Sequence, residues 1–388
     1  MVISKKMTMM ISNQQPSPNY ALAQSVAYET VYFSNQNKLP LSIKKLIRSI
    51  PNLHIQKYSK FAEKRKLSLE ETYEILDSEE GCLWMRSDGQ YIILYNDAVD
   101  NNGRIRFTLA HELGHYLLKH NEKSQKTSLA RYSLTNEEYD VFEKEANYFA
   151  KRLLAPIPLI DLYIANWSKI YPQSIEFAFD TSFTVANYII NDLHRRHRIA
   201  NIVKEGHPLT ENFVNYINQD CTSQICKECH SLQSITHSYC SFCGSPDFVK
   251  STAENYDHYF LERKEIMIYS KIETNEQGTP LTCPQCKAEQ LSDEFTFCPY
   301  CSVILHNSCL GPHENRFIEI GRGEYEEKTL LDQIAGGCGV KLDGGYRYCP
   351  ACGSETSYYN QGLLKSWKEE LKRDTDPFQS DKFTKLPF

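Results

Sequence analysis

Two kinds of metal-ligand spacing stand out in the chain, and they fall in different halves. The first is His111-Glu112-Leu113-Gly114-His115, a His-Glu-x-x-His pattern. On a helix, four residues turn about 400°, so the two imidazoles emerge roughly 40° apart and can share one ion. Glu112 falls on the neighbouring face, where a carboxylate can act as general base on a water activated by that ion. A third protein ligand is needed, and Glu143-Lys144-Glu145-Ala146-Asn147-Tyr148-Phe149-Ala150 offers one 28 residues past His115. Glu143, Ala146, Asn147 and Ala150 are spaced by three and four and share one helical stripe, whose two alanines let another backbone come close. Glu145 points about 200° away. We therefore expect His111, His115 and Glu143 to hold a catalytic zinc, with Asn147 orienting a liganding histidine and Glu145 a solvated helix charge. Two histidines and a glutamate suit zinc best and leave manganese open.

The second spacing is made by cysteine. Only Cys82 of the fourteen cysteines lies in the first 220 residues, and the other thirteen crowd into residues 221–352, mostly as Cys-x-x-Cys pairs. A disulfide framework has no need of such pairs, whereas a tetrahedral zinc site does. Cys226, Cys229, Cys240 and Cys243 have zinc-ribbon spacing, and Cys283, Cys286, Cys298 and Cys301 repeat it. A third ribbon ends in Cys349 and Cys352, but its first turn is split: Cys309 and Cys338 are separated by 28 residues, and His313 could replace Cys309. Cys221 is left over as a spare thiol or a competitor of Cys226, and Cys82 reads as a small core residue. Closed four-ligand shells make these two to three ions structural, and metal supplies the folding energy that so small a unit lacks. Tyr239, Phe242, Phe297, Tyr300 and Tyr348 beside the turns read as packing residues.

The elements needed to position these groups can be placed by pattern. Residues 1–20 form a tail. Apolar helical spacing runs through Leu41, Ile43, Leu46, Ile47 and Ile50 to Pro51. Leu53–Tyr58 reads as a strand, residues 61–77 as a helix, and Cys82–Arg86 with Tyr91–Tyr95 as strands joined by Ser87-Asp88-Gly89. A helix then starts after Asn101-Asn102-Gly103 and carries the first pattern to about His120. Glu137 and Glu138 suit the first turn of the next helix, which ends near Pro156. A last helix covers about Thr184 to His197. The expected class is α+β: a mainly helical, zincin-like domain with a small sheet over residues 21–200, then small β-rich ribbons. We place those at 201–250, at 251–303 with a preceding strand, and at 304–356, followed by a tail at 357–388 with one amphipathic stretch from Leu363 to Leu371.

Lys and Arg number 25 against 22 Asp and Glu over residues 1–200, and 18 against 27 beyond. An acidic cysteine-rich half is a poor surface for phosphates, so its partner is expected to be protein rather than nucleic acid. The longest core-like run, Tyr91–Tyr95, is far shorter than a membrane span, and Lys5 and Lys6 lead into polar residues rather than a signal region. Membrane association is not expected, and a cytoplasmic chain is.

Together, Arg104-Ile-Arg106-Phe107-Thr108-Leu-Ala-His111-Glu-Leu-Gly-His115 and Glu143-Lys-Glu-Ala-Asn147-Tyr-Phe149-Ala150 with Leu153-Leu154-Ala155-Pro156 resemble the ImmA/IrrE family of metallo-endopeptidases. Phe179 to Ala186 is similar to that family's closing helical unit, so the resemblance spans about residues 25–200. Ala155 departs from the methionine often found there. The resemblance implies site-specific cleavage of a protein partner, commonly a helix-turn-helix repressor, with the ribbons as recognition or regulatory modules. The alternative is a non-catalytic zinc-ribbon binding protein on a peptidase-like scaffold, although all four site residues of an active enzyme are present. His194 and His197 are candidates for stabilising the oxyanion, against a plain reading as solvated groups on a basic helix.

Overall fold

The computed structural model describes residues 17–124, 136–167, 169–199 and 206–374. The expected N-terminal tail up to residue 16, residues 125–135 and 200–205, and the end of the expected C-terminal tail after 374 lie outside them, as do the side chains of Glu137 and Glu138. The chain divides into two compact units, residues 1–218 and 219–388.

In the first unit α1 (Tyr20–Phe33) and α2 (Ile43–Ser49) precede β1 (Leu53–Lys57). Residues 61–77 do not form one helix. Lys66 turns left-handed, ending α3 (Tyr58–Arg65), and a Ser68–Glu71 capping box starts α4 (Leu69–Leu76). β2 (Gly81–Met85) and β3 (Tyr91–Tyr95) form the hairpin, with β3 central in the order β1-β3-β2, parallel to β1 and antiparallel to β2. Ile93 and Leu94 of β3 are buried. Behind the sheet runs α5 (Asn102–Leu117), started by the Asn101 side chain, which accepts from the Arg104 N–H. It ends short of His120 because Lys119 adopts φ 58°, and a new turn, α6 (His120–Ser124), begins there.

α7 (Asn136–Leu154) packs on both α5 and α1, so two of its faces are buried. α8 (Ile157–Asn166), α9 (Pro172–Phe179) and α10 (Phe183–Arg198) follow. Arg106 of α5 reaches the Leu41 carbonyl and the Phe179 and Asp180 carbonyls at the end of α9, which ties the later helices to the metal helix. The unit continues past residue 200. Leu209 in α11 (Pro208–Glu211), Phe213, and Ile217 in α12 (Val214–Cys221) are buried in a stretch assigned above to the start of the first ribbon.

The second unit begins with a three-stranded sheet, β4 (Ser223–Cys226) between β5 (Leu232–Ser234) and β6 (Phe248–Lys250). The strand expected before the second ribbon is replaced by α13 (Tyr256–Glu262). The five intact Cys-x-x-Cys turns share one backbone design. The first cysteine's carbonyl accepts from the N–H four residues on, at His230, Gly244, Lys287, Ser302 and Gly353, and all five take positive φ. In the split turn, Gly339 directly after Cys338 also has positive φ. The 28 intervening residues hold the hairpin β7 (Phe317–Gly321) and β8 (Glu324–Glu327) and the helix α14 (Leu330–Ala335).

The first and third ribbons lock together with near two-fold symmetry. Ser238 and Tyr239 donate backbone N–H groups to the Pro350 carbonyl, while Arg347 and Tyr348 donate to the Ser241 carbonyl. Each tyrosine ring covers the other turn's glycine, Tyr348 on Gly244 and Tyr239 on Gly353. Phe242 packs nearby on Tyr269. Phe297 and Tyr300 of the second ribbon are exposed instead of packed, since among the described residues no second turn pairs with theirs. The expected tail is also partly structural. Tyr358 of α15 (Ser357–Asn360) is fully buried, and α16 (Trp367–Asp374) brings Glu370 to the fully buried Arg347 at 2.6 Å. Arg347 further donates to the Lys365 and Ser270 carbonyls. An ion this deep tolerates burial only while paired. Glu370→Ala should therefore destabilise the second unit by about 3–5 kcal/mol, read as a lower thermal midpoint, with partial recovery in the Arg347→Met/Glu370→Ala double variant.

Candidate active site and metal centres

The helical crossing of α5 and α7 builds the first site. Gly114, between the two histidines, leaves room for α7 to approach: a Cβ there would meet the Phe149 ring at 2.9 Å and the Ala146 Cα at 3.3 Å. With Ala146 and Ala150 fully buried, the small residues of the stripe let Glu143 face the histidine pair. Glu143 carboxylate oxygens lie 3.3 Å from both His111 Nε2 and His115 Nε2, and the two Nε2 atoms are 2.9 Å apart. Donors at that spacing can share one ion at the roughly 2.0–2.2 Å typical of zinc–nitrogen and zinc–oxygen bonds. The donor set of two imidazoles and a carboxylate, all within 4.8 Å of one another, fits a divalent transition metal.

The far sides of both rings are engaged. His111 Nδ1 lies 3.2 Å from Asn147 Oδ1, and since an amide oxygen only accepts, that nitrogen carries the proton and leaves Nε2 free to ligate. Burial pushes the Glu143 carboxyl up, but the hydrogen bonds to His111 and His115 prevail and hold it below the ordinary range, so it is a ready anionic ligand. Glu112 is buried on the face toward the sheet, close to the Leu83 backbone N–H of β2, and burial raises its pKa.

Glu145 corrects the expectation of a solvated charge. It is 5% exposed, its Oε2 lies 2.9 Å from His120 Nε2, and its Oε1 accepts the Asn19 N–H at 2.6 Å. The three–four stripe accounts for one buried face of α7; packing against α1 buries a second. No local pattern in the sequence marks His120. It is fully buried, stacked on Phe142, with Nδ1 2.9 Å from His115 Nδ1. Burial holds its pKa down to about 2. Five residues along a continuous helix would put it about 140° from His115, so only the left-handed Lys119 brings the two rings together. His194 and His197 are exposed on α10.

Residues 64–171 match the family model Peptidase_M78, the IrrE N-terminal-like domain. That segment contains the hairpin, α5 and α7, hence all of His111, Glu112, His115, Glu143, Glu145 and Asn147. The domain marks a zincin-like peptidase scaffold. No match was found among curated proteins.

Three further clusters lie in the second unit: Cys226, Cys229, Cys240 and Cys243; Cys283, Cys286, Cys298 and Cys301; and Cys309, Cys338, Cys349 and Cys352. The sulfurs of Cys226 and Cys243 are 3.4 Å apart, those of Cys283 and Cys301 3.6 Å, and those of Cys309 and Cys352 3.4 Å. This is too far for disulfides and suits thiolates around zinc. Cys309, not His313, completes the third set; His313 is exposed, with its ring against Phe317. Cys221 is buried outside every cluster, and burial pushes its thiol up. Cys82 packs beside Tyr58, with its thiol likewise raised by burial.

Widening Gly114 tests the helix crossing. Gly114→Val should force α5 and α7 apart, costing about 1–3 kcal/mol and loosening metal held by the His–Glu set, as measured by calorimetry and by zinc competition with a chelator.

Proposed function

We propose that the protein is a zinc-dependent endopeptidase that cuts a protein partner at specific sites, with a helix-turn-helix repressor as the substrate class. The observation that carries this reading is the convergence of His111, His115 and Glu143 beside a buried Glu112, within a segment that matches a peptidase family. A zinc ion on those three ligands supplies a Lewis acid and an activated water at neutral pH. Manganese could substitute at this centre, and three structural zinc ions in the cysteine clusters complete the proposed complement.

The chain's own residues divide the remaining work. Among the described residues β2 pairs only with β3, so its outer edge can bind an extended substrate segment by strand addition. Glu112 sits beside that edge at Leu83, with its carboxylate placed to take a proton from the attacking water and return it to the leaving amide nitrogen. Asn147 keeps the His111 ring turned to present Nε2. The ribbons serve as a protein-recognition module, which their acidic balance favours over nucleic acid. A cytoplasmic setting agrees with unpaired cysteines, and among the described residues no helix is long and apolar enough to cross a membrane.

New protein N-termini in cells expressing wild type should include a few, mapping to a repressor, that vanish with Glu112→Gln. Identical profiles would end the endopeptidase reading. Because burial raises Glu112 and only its ionised form accepts a proton, activity should fall as pH drops through a pKa above the ordinary value of about 4.3. A pH–rate profile on a cleaved peptide, compared with the zinc content at each pH, checks that limb.

A further inference from the structure

We propose that His120 is a positioning residue for the metal centre, fixing His115 as an Nε2 ligand through a buried relay anchored on Glu145. The inference rests on the metal-site reading above and extends it to two residues that contribute no ligand atom. The relay is continuous. His115 Nδ1 lies 2.9 Å from His120 Nδ1, His120 Nε2 lies 2.9 Å from Glu145 Oε2, and Glu145 Oε1 receives the Asn19 N–H at 2.6 Å.

Hydrogen-bond chemistry and a metal on His115 Nε2 together allow one arrangement of protons along it. A carboxylate only accepts, so His120 Nε2 must carry the proton on that side. The remaining ring nitrogen, His120 Nδ1, then accepts from His115 Nδ1, which carries that ring's proton whenever Nε2 ligates. That leaves the His115 lone pair on Nε2, the atom facing Glu143 and His111. Any other arrangement would put a proton where a metal must bind. The ring is also held mechanically: His120 is 0% exposed and stacks on Phe142 with centroids 4.4 Å apart and planes 15° apart.

Glu145 does two jobs with two oxygens. One orients His120, and the other fixes the backbone at Asn19, where α1 starts. The His115 side of the site is thereby tied to the first helix, whereas the His111 side is tied to α7 through Asn147.

The test uses the full chain and reads zinc affinity, not activity. His120→Phe keeps a stacking ring and removes both nitrogens. His120→Asn restores an acceptor oxygen near the Nδ1 position. Glu145→Gln keeps the shape and removes the charge. In competition with a chelator at pH 7, His120→Phe should weaken one zinc equivalent by about 10–100-fold while the others stay bound. His120→Asn should recover part of the loss, and Glu145→Gln should show a smaller one. Wild-type affinity in both His120→Phe and Glu145→Gln overturns the relay. Equal losses in His120→Phe and His120→Asn overturn it too, because packing alone would then account for them. Should His120→Phe fail to fold, His120→Asn and Glu145→Gln decide by the same readout, and wild-type affinity in both overturns the relay. His111→Ala separates the two claims: it must lose one zinc equivalent, and unchanged zinc content would sink the metal centre itself.

Discussion

The approach of α5 to α7 is set by a missing side chain. At Gly114 the Phe149 ring and the Ala146 backbone occupy the space a Cβ would need, so the two helices cross at nearly backbone contact. That closeness lets a short carboxylate on α7 reach two imidazoles on α5. Other features of the unit protect it. The sheet covers the Glu112 face, α1 seals the opposite face of α7, and Arg106 pins the end of α9 to the metal helix. A site made of three acceptors facing inward is unfavourable without a cation, so the surrounding packing must hold the geometry in place.

Much of this was legible in the residues. Period-two and helical spacing located β1, β2, β3, α5, α7 and α10 to within a few residues, because each buries a strongly apolar face. The three–four stripe on α7 singled out Glu143 and Asn147 for the same reason. What escaped was whatever depended on a reversal of the backbone or on a second buried face. Lys66 and Lys119 take left-handed conformations that no residue preference announces, although Ser68-x-x-Glu71 was a readable capping signal for the first break. Glu145 looked solvated because one helix face was assumed to meet water, and nothing in a local window reveals α1 packing there.

In the second unit the spacing of cysteines carried most of the information, since a tetrahedral site leaves little freedom in how a Cys-x-x-Cys turn is made. The pairing of the first and third ribbons is a different matter. It depends on Tyr239 and Tyr348 each lying over the other's glycine, a long-range relation between residues more than a hundred positions apart. The burial of Arg347, and with it the docking of α15 and α16, follows from the same assembly. A tail with one short amphipathic stretch gives no hint of a buried arginine waiting for its glutamate.

The split turn of the third ribbon has its own consequence. Where the other turns place two residues between their cysteines, this one places 28, and still brings Cys309 and Cys338 to the same cluster. Lengthening a loop that much costs only about 2 kcal/mol in closure entropy, small beside the roughly 10–16 kcal/mol that a structural zinc can supply. A metal-clamped turn is thus a permissive port in the chain: new sequence can be spliced through it, as the β7–β8 hairpin and α14 are, while the scaffold around it keeps its shape.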